Sequence, residues 1–299
     1  VPSARSLAAV LAAGASALLV AACADDSAGT GGRVPVVAAE NFYGSILTQV
    51  GGRRVAVTSI IKDPSADPHE YTGTAQDTRA VAHAKLVVVN GVGYDSFMDR
   101  LLDAAPASGR KVIRVDQLVD AAGDDANPHL WYDPQNAARL AQAAARALGE
   151  ADPRHAADYR RGAGAFVRGL DPLEHEIALL RRSFAGAPFA YTERVPQYLT
   201  DRIGLRLLTP RAFAKADEAG VDPPPQAVAD MRALVTERRI KLLLYNPQAS
   251  SSAAASLRSA AEGAGIPVVG VTETLPPHES YQHWQLGQMR AIGAALRRP

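Results

Sequence analysis

Two histidines and two glutamates stand where a side chain can do chemistry. His69 lies in Asp67-Pro68-His69-Glu70-Tyr71, and His129 in Asn127-Pro128-His129-Leu130-Trp131-Tyr132-Asp133-Pro134. Glu193 follows Ala190-Tyr191-Thr192 directly, and Glu273 sits just past Val268-Val269-Gly270-Val271. Each comes after an apolar run that patterns as a β-strand, the place where open α/β sheets put their ligands. Both histidines follow a proline in a tight polar loop flanked by aromatics, and the proline pre-organises the imidazole. Two imidazoles and two carboxylates from four loops suit Zn²⁺ or Mn²⁺. Taken singly, a loop histidine is usually a surface or capping residue, and a glutamate after a strand is more often a helix-start charge. The residue chemistry alone therefore points to a possible metal site and goes no further.

The elements that must hold these loops alternate short apolar runs with longer helical patterns, the signature of βα units around largely parallel sheets. The spacing predicts strands over Val34–Ala39, Val55–Ile60, Leu86–Asn90 and Val112–Val115, with helices over Phe42–Val50, Thr74–Ala84 and Asp95–Ala105 between them. A second set follows: strands over Pro188–Thr192, Ile240–Asn246 and Pro267–Val271, and helices over Ala227–Glu237, Ser250–Ala264 and Ser280–Leu296. Between the sets, Pro134–Phe184 carries no strand signal. Asp133-Pro134 and Asp152-Pro153 pattern as helix entries, and Pro172 breaks or restarts the second helix near Asp171. The fold class is α/β: two βα lobes over 34–150 and 185–299, joined by a long connecting helix over 151–184.

Residues 1–23 are set apart from the fold. Leu7–Ala22 is an apolar run shorter than the ~20 residues of a comfortable membrane-spanning helix. It ends in Val20-Ala21-Ala22-Cys23, and Cys23 is the one cysteine of the chain, so no intrachain disulfide can form. The run resembles a lipobox, in which Cys23 is lipidated and becomes the mature N-terminus. Residues 24–33, polar and glycine-rich, pattern as a flexible tether. The expected location is extracytoplasmic, lipid-anchored to the cell membrane.

Composition narrows the function classes. With 47% hydrophobic and 21% charged residues a sizeable core can form, and global disorder is excluded. Lys and Arg number 32 against 31 Asp and Glu, a balance that offers no electrostatic case for a nucleic-acid partner. No Gly-x-Gly-x-x-Gly follows the first strand, which removes a dinucleotide cofactor; no organic cofactor is expected.

Asp67-Pro68-His69-Glu70-Tyr71 with Thr72 and Asp77 resembles the first ligand loop of the zinc/manganese substrate-binding proteins of ABC transporters. Asn127-Pro128-His129-Leu130-Trp131 with Asp133-Pro134 resembles their second. The third family loop carries His or Glu, an aromatic five residues on and Gly eleven on; Glu193, Tyr198 and Gly204 keep that spacing. The fourth ligand is an acid after the last strand, matched by Glu273 in Val271-Thr272-Glu273-Thr274-Leu275-Pro276. The resemblance runs from about Val34 to Leu296. It implies a metal bound in the cleft between the lobes by His69, His129, Glu193 and Glu273, with Zn²⁺ or Mn²⁺ as the transported ligand. It also implies delivery to an ABC transporter permease, a monomeric state and a connecting helix that limits hinge motion.

Two departures bear on the metal. The His-rich acidic loop of many zinc members is missing, since only Asp120–Ala126 precedes the second motif, and the third ligand is Glu rather than His. Carboxylate leans toward Mn²⁺ and imidazole toward Zn²⁺, while Zn²⁺ stands above Mn²⁺ in general affinity, so both metals stay open. Asp77 and Asp133 are candidates to orient the imidazoles. His83, His155 and His175 are expected on solvated helix surface. His278 and His283 around Glu279 form either an accessory site or an exposed helix start. Trp131 is expected to wall off His129. Two other classes compete. A metal-dependent hydrolase would need an open coordination position and a general base, and no His-Glu-x-x-His is present. A metal-stabilised surface adhesin would unfold without its metal.

Overall fold

The structure is a computed structural model that describes residues 32–63, 71–123, 125–248 and 251–298. Lys62 and Asp63 lead out of the second strand, and His69 lies outside the described residues, as does Cys23.

The first lobe runs β1 (Val34–Glu40), α1 (Asn41–Gly51), β2 (Val55–Ile61), α2 (Ala75–His83), β3 (Leu86–Val89), α3 (Phe97–Ala104), β4 (Lys111–Arg114) and the short α4 (Val115–Leu118). Three helices follow: α5 (Pro134–Ala151), α6 (Ala156–Arg168) and α7 (Asp171–Phe184). The second lobe runs β5 (Pro188–Tyr191), α8 (Gln197–Ile203), β6 (Arg206–Leu207), α9 (Arg211–Glu218), α10 (Pro225–Thr236), β7 (Leu243–Tyr245), α11 (Ser252–Gly263), β8 (Val268–Gly270) and α12 (Tyr281–Leu296).

Both sheets are parallel throughout, and both repeat one order: β2-β1-β3-β4 and β6-β5-β7-β8. In each the chain steps outward from its first strand and then back across it. That reversal opens a crevice at the carboxyl ends of β1 and β3 in one lobe and of β5 and β7 in the other.

Alternation along the strands explains why the apolar runs read as continuous. Val36, Ala38, Leu86 and Val88 face a central core, while Val37, Ala39, Val87 and Val89 face the opposite side with Val81, Phe97, Met98 and Leu101. Parallel strands covered on both faces need apolar residues at every position. In the second sheet Phe189, Tyr191, Leu242 and Leu244 join the same central core, and Ala190 and Leu243 pack outward with Phe213, Met231 and Leu257. One core therefore serves one face of each sheet, together with α5, α6, α7 and α12.

The connector is two helices rather than one unbroken rod. It stops at Arg168 and restarts at Asp171, with Pro172 in the first turn where its missing N–H costs nothing. α6 sits tightly on α1: a Cβ at Gly162 would lie 2.2 Å from the Val50 carbonyl oxygen. The helix patterned over Asp95–Ala105 begins at Phe97, because the Asp95 carboxylate turns back to accept the N–H groups of Asn90 (2.6 Å) and Gly91 (2.9 Å). Gly91 needs its left-handed φ of 85° there, and a Cβ would meet the Asp116 carboxyl at 2.1 Å. α4, α8, β6 and α9 are additions to the sequence pattern, each short.

Candidate metal centre

The cleft loops come together from both lobes. Among the described residues, one ligand atom each of His129, Glu193 and Glu273 lies within 4.8 Å of the others, and all three side chains are buried. His129 Nε2 stands 3.6 Å from Glu193 Oε1 and 3.6 Å from Glu273 Oε2. No described helix is long and apolar enough to cross a membrane.

Local chemistry fixes each group. His129 follows Pro128, and the Asn127 carboxamide oxygen accepts both the His129 backbone N–H (3.1 Å) and a hydrogen bond from ring Nδ1 (2.7 Å). The Asn127 amide nitrogen donates to the Arg194 carbonyl (2.9 Å), so its oxygen must face the ring. Nδ1 then carries the proton and Nε2 is the nitrogen turned to the carboxylates, the arrangement found in metal-binding histidines. Asn90, at the end of β3, donates to the Pro128 carbonyl (2.8 Å) and accepts from Tyr43 Oη (2.6 Å), anchoring the same loop. Trp131 walls the ring: its centroid is 5.3 Å from that of His129, and Phe42 stacks on Trp131 at 4.1 Å.

In the second lobe Glu193 leaves the end of β5, and Glu273 follows β8. Asn246, just past β7, donates from Nδ2 to Glu193 Oε2 (2.6 Å) and to Glu273 Oε1 (2.6 Å). Tyr94 Oη donates to Glu273 Oε2 (2.9 Å), and Gln248 Oε1 accepts the Glu273 backbone N–H (2.6 Å). Next to Glu193, Arg194 grips Glu218 through Nε (2.6 Å) and Nη2 (2.8 Å) and reaches the Asp125 carbonyl (3.1 Å). Lys215 and Arg211 hold the Asp125 carboxyl down at about 2. That ionic cluster ties the loop before His129 to the second lobe. A cavity of about 770 Å³ opens beside it, lined by Asp120, Pro128 and Arg194 among others, and contains none of the three converging groups.

The electrostatics suit a cation. Burial opposes a charge on His129, yet Glu193 and Glu273 outweigh it and push the ring up to about 9. Burial and the neighbouring Glu273 push Glu193 up to about 7, against His129 and Asn246, which pull it down. Burial and Glu273 likewise raise Tyr94 well above an ordinary phenol, so it stays a donor. Two carboxylates enclosed side by side are stabilised most by a divalent ion placed among them.

One expected role is corrected, and that of Asp77 toward His69 lies outside the described residues. Asp133 does not orient an imidazole: it caps α5 through the Gln135 N–H (2.9 Å) and lies 3.5 Å from Arg202. Asn127 does that work for His129. Asp77 accepts from Tyr71 Oη (2.7 Å) and the Thr74 N–H (2.7 Å) in a capping box that starts α2. His83 and His175 are exposed as expected, while His155 is half-buried and bonded to Asp152 at 2.6 Å. His278 and His283 are exposed, and His283 Nδ1 is 4.0 Å from Glu279, the geometry of a loose helix-start pair. Sequence reasoning passed over Asn127, Asn246, Tyr94 and Gln248. Asn127 carried a signal, two residues before His129 in the quoted loop. Asn246 carried none beyond its place at a strand end.

Known proteins share this fold. The manganese-binding lipoprotein MntA of Halalkalibacterium halodurans is 31% identical over 168 residues, 54% of this chain and 55% of that protein. The high-affinity zinc uptake system protein ZnuA of Brucella abortus is 26% identical over 243 residues, 64% of this chain and 71% of that protein. The fold matches the periplasmic zinc binding protein TroA from Treponema pallidum with a TM-score of 0.76 at 18% identity, covering 89% of this chain and all of that one. Two like-ordered parallel sheets facing a shared cleft are thus joined by a family match that spans residues 36–295. The chain belongs to the family of zinc-uptake complex component A periplasmic proteins.

Proposed function

We propose that this protein is an extracytoplasmic substrate-binding protein that captures a divalent transition metal, Zn²⁺ or Mn²⁺, and hands it to an ABC importer. The observation that carries this reading is the buried trio of His129, Glu193 and Glu273, drawn from both lobes with the imidazole Nε2 turned toward both carboxylates. His69 from the first lobe is the fourth ligand in this proposal. His69 and His129 then belong to a lobe over 34–150, Glu193 and Glu273 to a lobe over 185–299, with residues 151–184 between them.

The chain's residues divide the work. Asn127 fixes the tautomer of His129; Trp131, backed by Phe42, packs against its ring; Tyr94 holds the Glu273 carboxylate, and Gln248 holds the Glu273 backbone. A cation joining groups from two lobes clamps them and favours the closed arrangement. Because one core spans both lobes, wide hinge opening would expose buried apolar surface; release therefore works through local movement of the second-lobe loops. The Arg194–Glu218–Asp125 cluster is placed to yield in that movement.

Four protein ligands fill a tetrahedral ion and leave no position for an activated water, which favours transport over hydrolysis. The chain acts as a monomer that needs no organic cofactor and no nucleic acid. Residues 1–23 are its lipoprotein signal, Cys23 is the anchor to the membrane, and residues 24–33 are the tether. Its partner is the permease of the importer.

Elemental analysis of the chain from Ala24, wild type against His129→Ala and His69→Ala, tests the reading. One metal per chain, lost in both variants while the far-ultraviolet spectrum persists, supports capture. Unfolding of the wild type on chelation favours the structural adhesin, and absence of stoichiometric metal from the wild type refutes capture.

A further inference from the structure

Asn246 does something the ligand set does not require of it. Its side-chain oxygen accepts the Gln248 backbone N–H (2.9 Å), which fixes the orientation of the amide. The nitrogen must then face the cleft, where its two hydrogens go to two different carboxylates: Glu193 Oε2 and Glu273 Oε1, each at 2.6 Å. Asn246 is itself 1% exposed, and its backbone N–H is anchored on Thr192 Oγ1 (3.3 Å), one residue before Glu193. The other oxygens, Glu193 Oε1 and Glu273 Oε2, are those 3.6 Å from His129 Nε2, and Tyr94 Oη supports the second at 2.9 Å.

Each glutamate is thereby split into a held oxygen and a presented one. For a carboxylate to chelate through both oxygens it must turn its held oxygen toward the ion and give up a charge-assisted hydrogen bond in a site closed to water. Zn²⁺ is satisfied by four single-atom donors in a tetrahedron, whereas Mn²⁺ belongs with the oxygen-rich, octahedral ions. Without the amide, Glu193 Oε2 and Glu273 Oε1 lose the hydrogen bonds that draw them back from the ion.

We infer that Asn246 is a specificity-determining positioning residue: by holding one oxygen of each glutamate it enforces single-oxygen coordination and selects four-coordinate Zn²⁺ over Mn²⁺. The inference rests on the capture function proposed above and sharpens it. It also gives the glutamate in the third ligand position a different meaning. The carboxylate there does not by itself favour manganese, because its second oxygen is engaged.

The test uses Co²⁺ as a spectroscopic probe with Zn²⁺ and Mn²⁺ competition, on the chain from Ala24. Four-coordinate Co²⁺ gives intense visible bands, and five- or six-coordinate Co²⁺ gives weak ones. The wild type should show the intense spectrum. Asn246→Ala should weaken it and move the Zn²⁺:Mn²⁺ affinity ratio toward Mn²⁺ by about tenfold to a hundredfold, the range of one lost hydrogen bond to a charged group. Asn246→Ser, which keeps one donor, should fall between and decides the matter if the alanine variant does not fold. A weak Co²⁺ spectrum in the wild type overturns the inference outright. So do folded variants that bind one metal with an unchanged spectrum and ratio. A wild type that binds none of the three ions removes the capture function itself, a result distinct from either.

Discussion

Loading the site at neutral pH must expel protons, and His129 and Glu193 show which way the balance runs. In the metal-free protein His129 titrates at about 9, held up by Glu193 and Glu273, and Glu193 titrates at about 7. At pH 7 the ring is held protonated and the raised Glu193 keeps a share of a proton, and a cation needs both deprotonated; it displaces at least the proton of His129. The sign follows: affinity rises with pH until His129 loses its proton, with Kd falling about tenfold or more per unit near pH 7 and levelling above about pH 9. Titration calorimetry of Zn²⁺ into metal-free protein, in two buffers of different ionisation enthalpy, counts the protons directly. Glu193→Gln should lower the count, because it removes one carboxyl and one of the two groups that hold the His129 ring up. A release near zero, or a Kd flat between pH 6 and pH 8, refutes the placement of a protonated His129 between two carboxylates.

Other outcomes follow from the fold. Gly162→Ala pushes a Cβ to 2.2 Å from the Val50 carbonyl and should cost about 1–3 kcal/mol in urea unfolding, with metal affinity unchanged in the surviving folded protein. Glu40 is fully buried at the end of β1, and burial first, then Asp95, raises its carboxyl well above the ordinary range; Asp95 itself rises to about 6. A raised acid lends its stability below its unfolded value and loses it as pH climbs through the folded one. Metal-free Glu40→Gln should therefore gain on the wild type by up to about 1.4 kcal/mol per pH unit from pH 5 to pH 7, and parallel profiles would contradict this. Arg194→Met leaves the half-buried Glu218 without its cation and loosens the Asp125 loop; a stability loss of about 1–3 kcal/mol and faster Zn²⁺ release in a chelator chase are expected.

The strands were legible because parallel strands buried on both faces must be apolar throughout, and Val34–Ala39 and Leu86–Val89 are. The restart at Asp171 was legible from Pro172. β6 was not: it is two residues long and exposed, with nothing to distinguish it from a turn. α8 is a single seven-residue helix behind Pro196, too short for its period to register. At the site, His129, Glu193 and Glu273 could be picked out because strand ends concentrate ligands. Their supports could not. Asp133 drew attention as an acid near a histidine, yet it is spent on the start of α5, a role that any Asp-Pro would signal equally well. Asn127 and Asn246 are neutral, so no charge pattern marks them, and their importance arises only when separate strand ends meet.

The central claim is that one divalent ion sits among His69, His129, Glu193 and Glu273. Anomalous diffraction at the zinc edge from crystals grown with one equivalent of Zn²⁺ tests it most directly. The expected result is a single strong peak at about 2.0–2.2 Å from Nε2 of His129 and from one oxygen of each glutamate, with His69 completing the tetrahedron. A peak at His278 and His283 instead, or a site that leaves Glu193 and Glu273 bonded only to each other's neighbours, would contradict it.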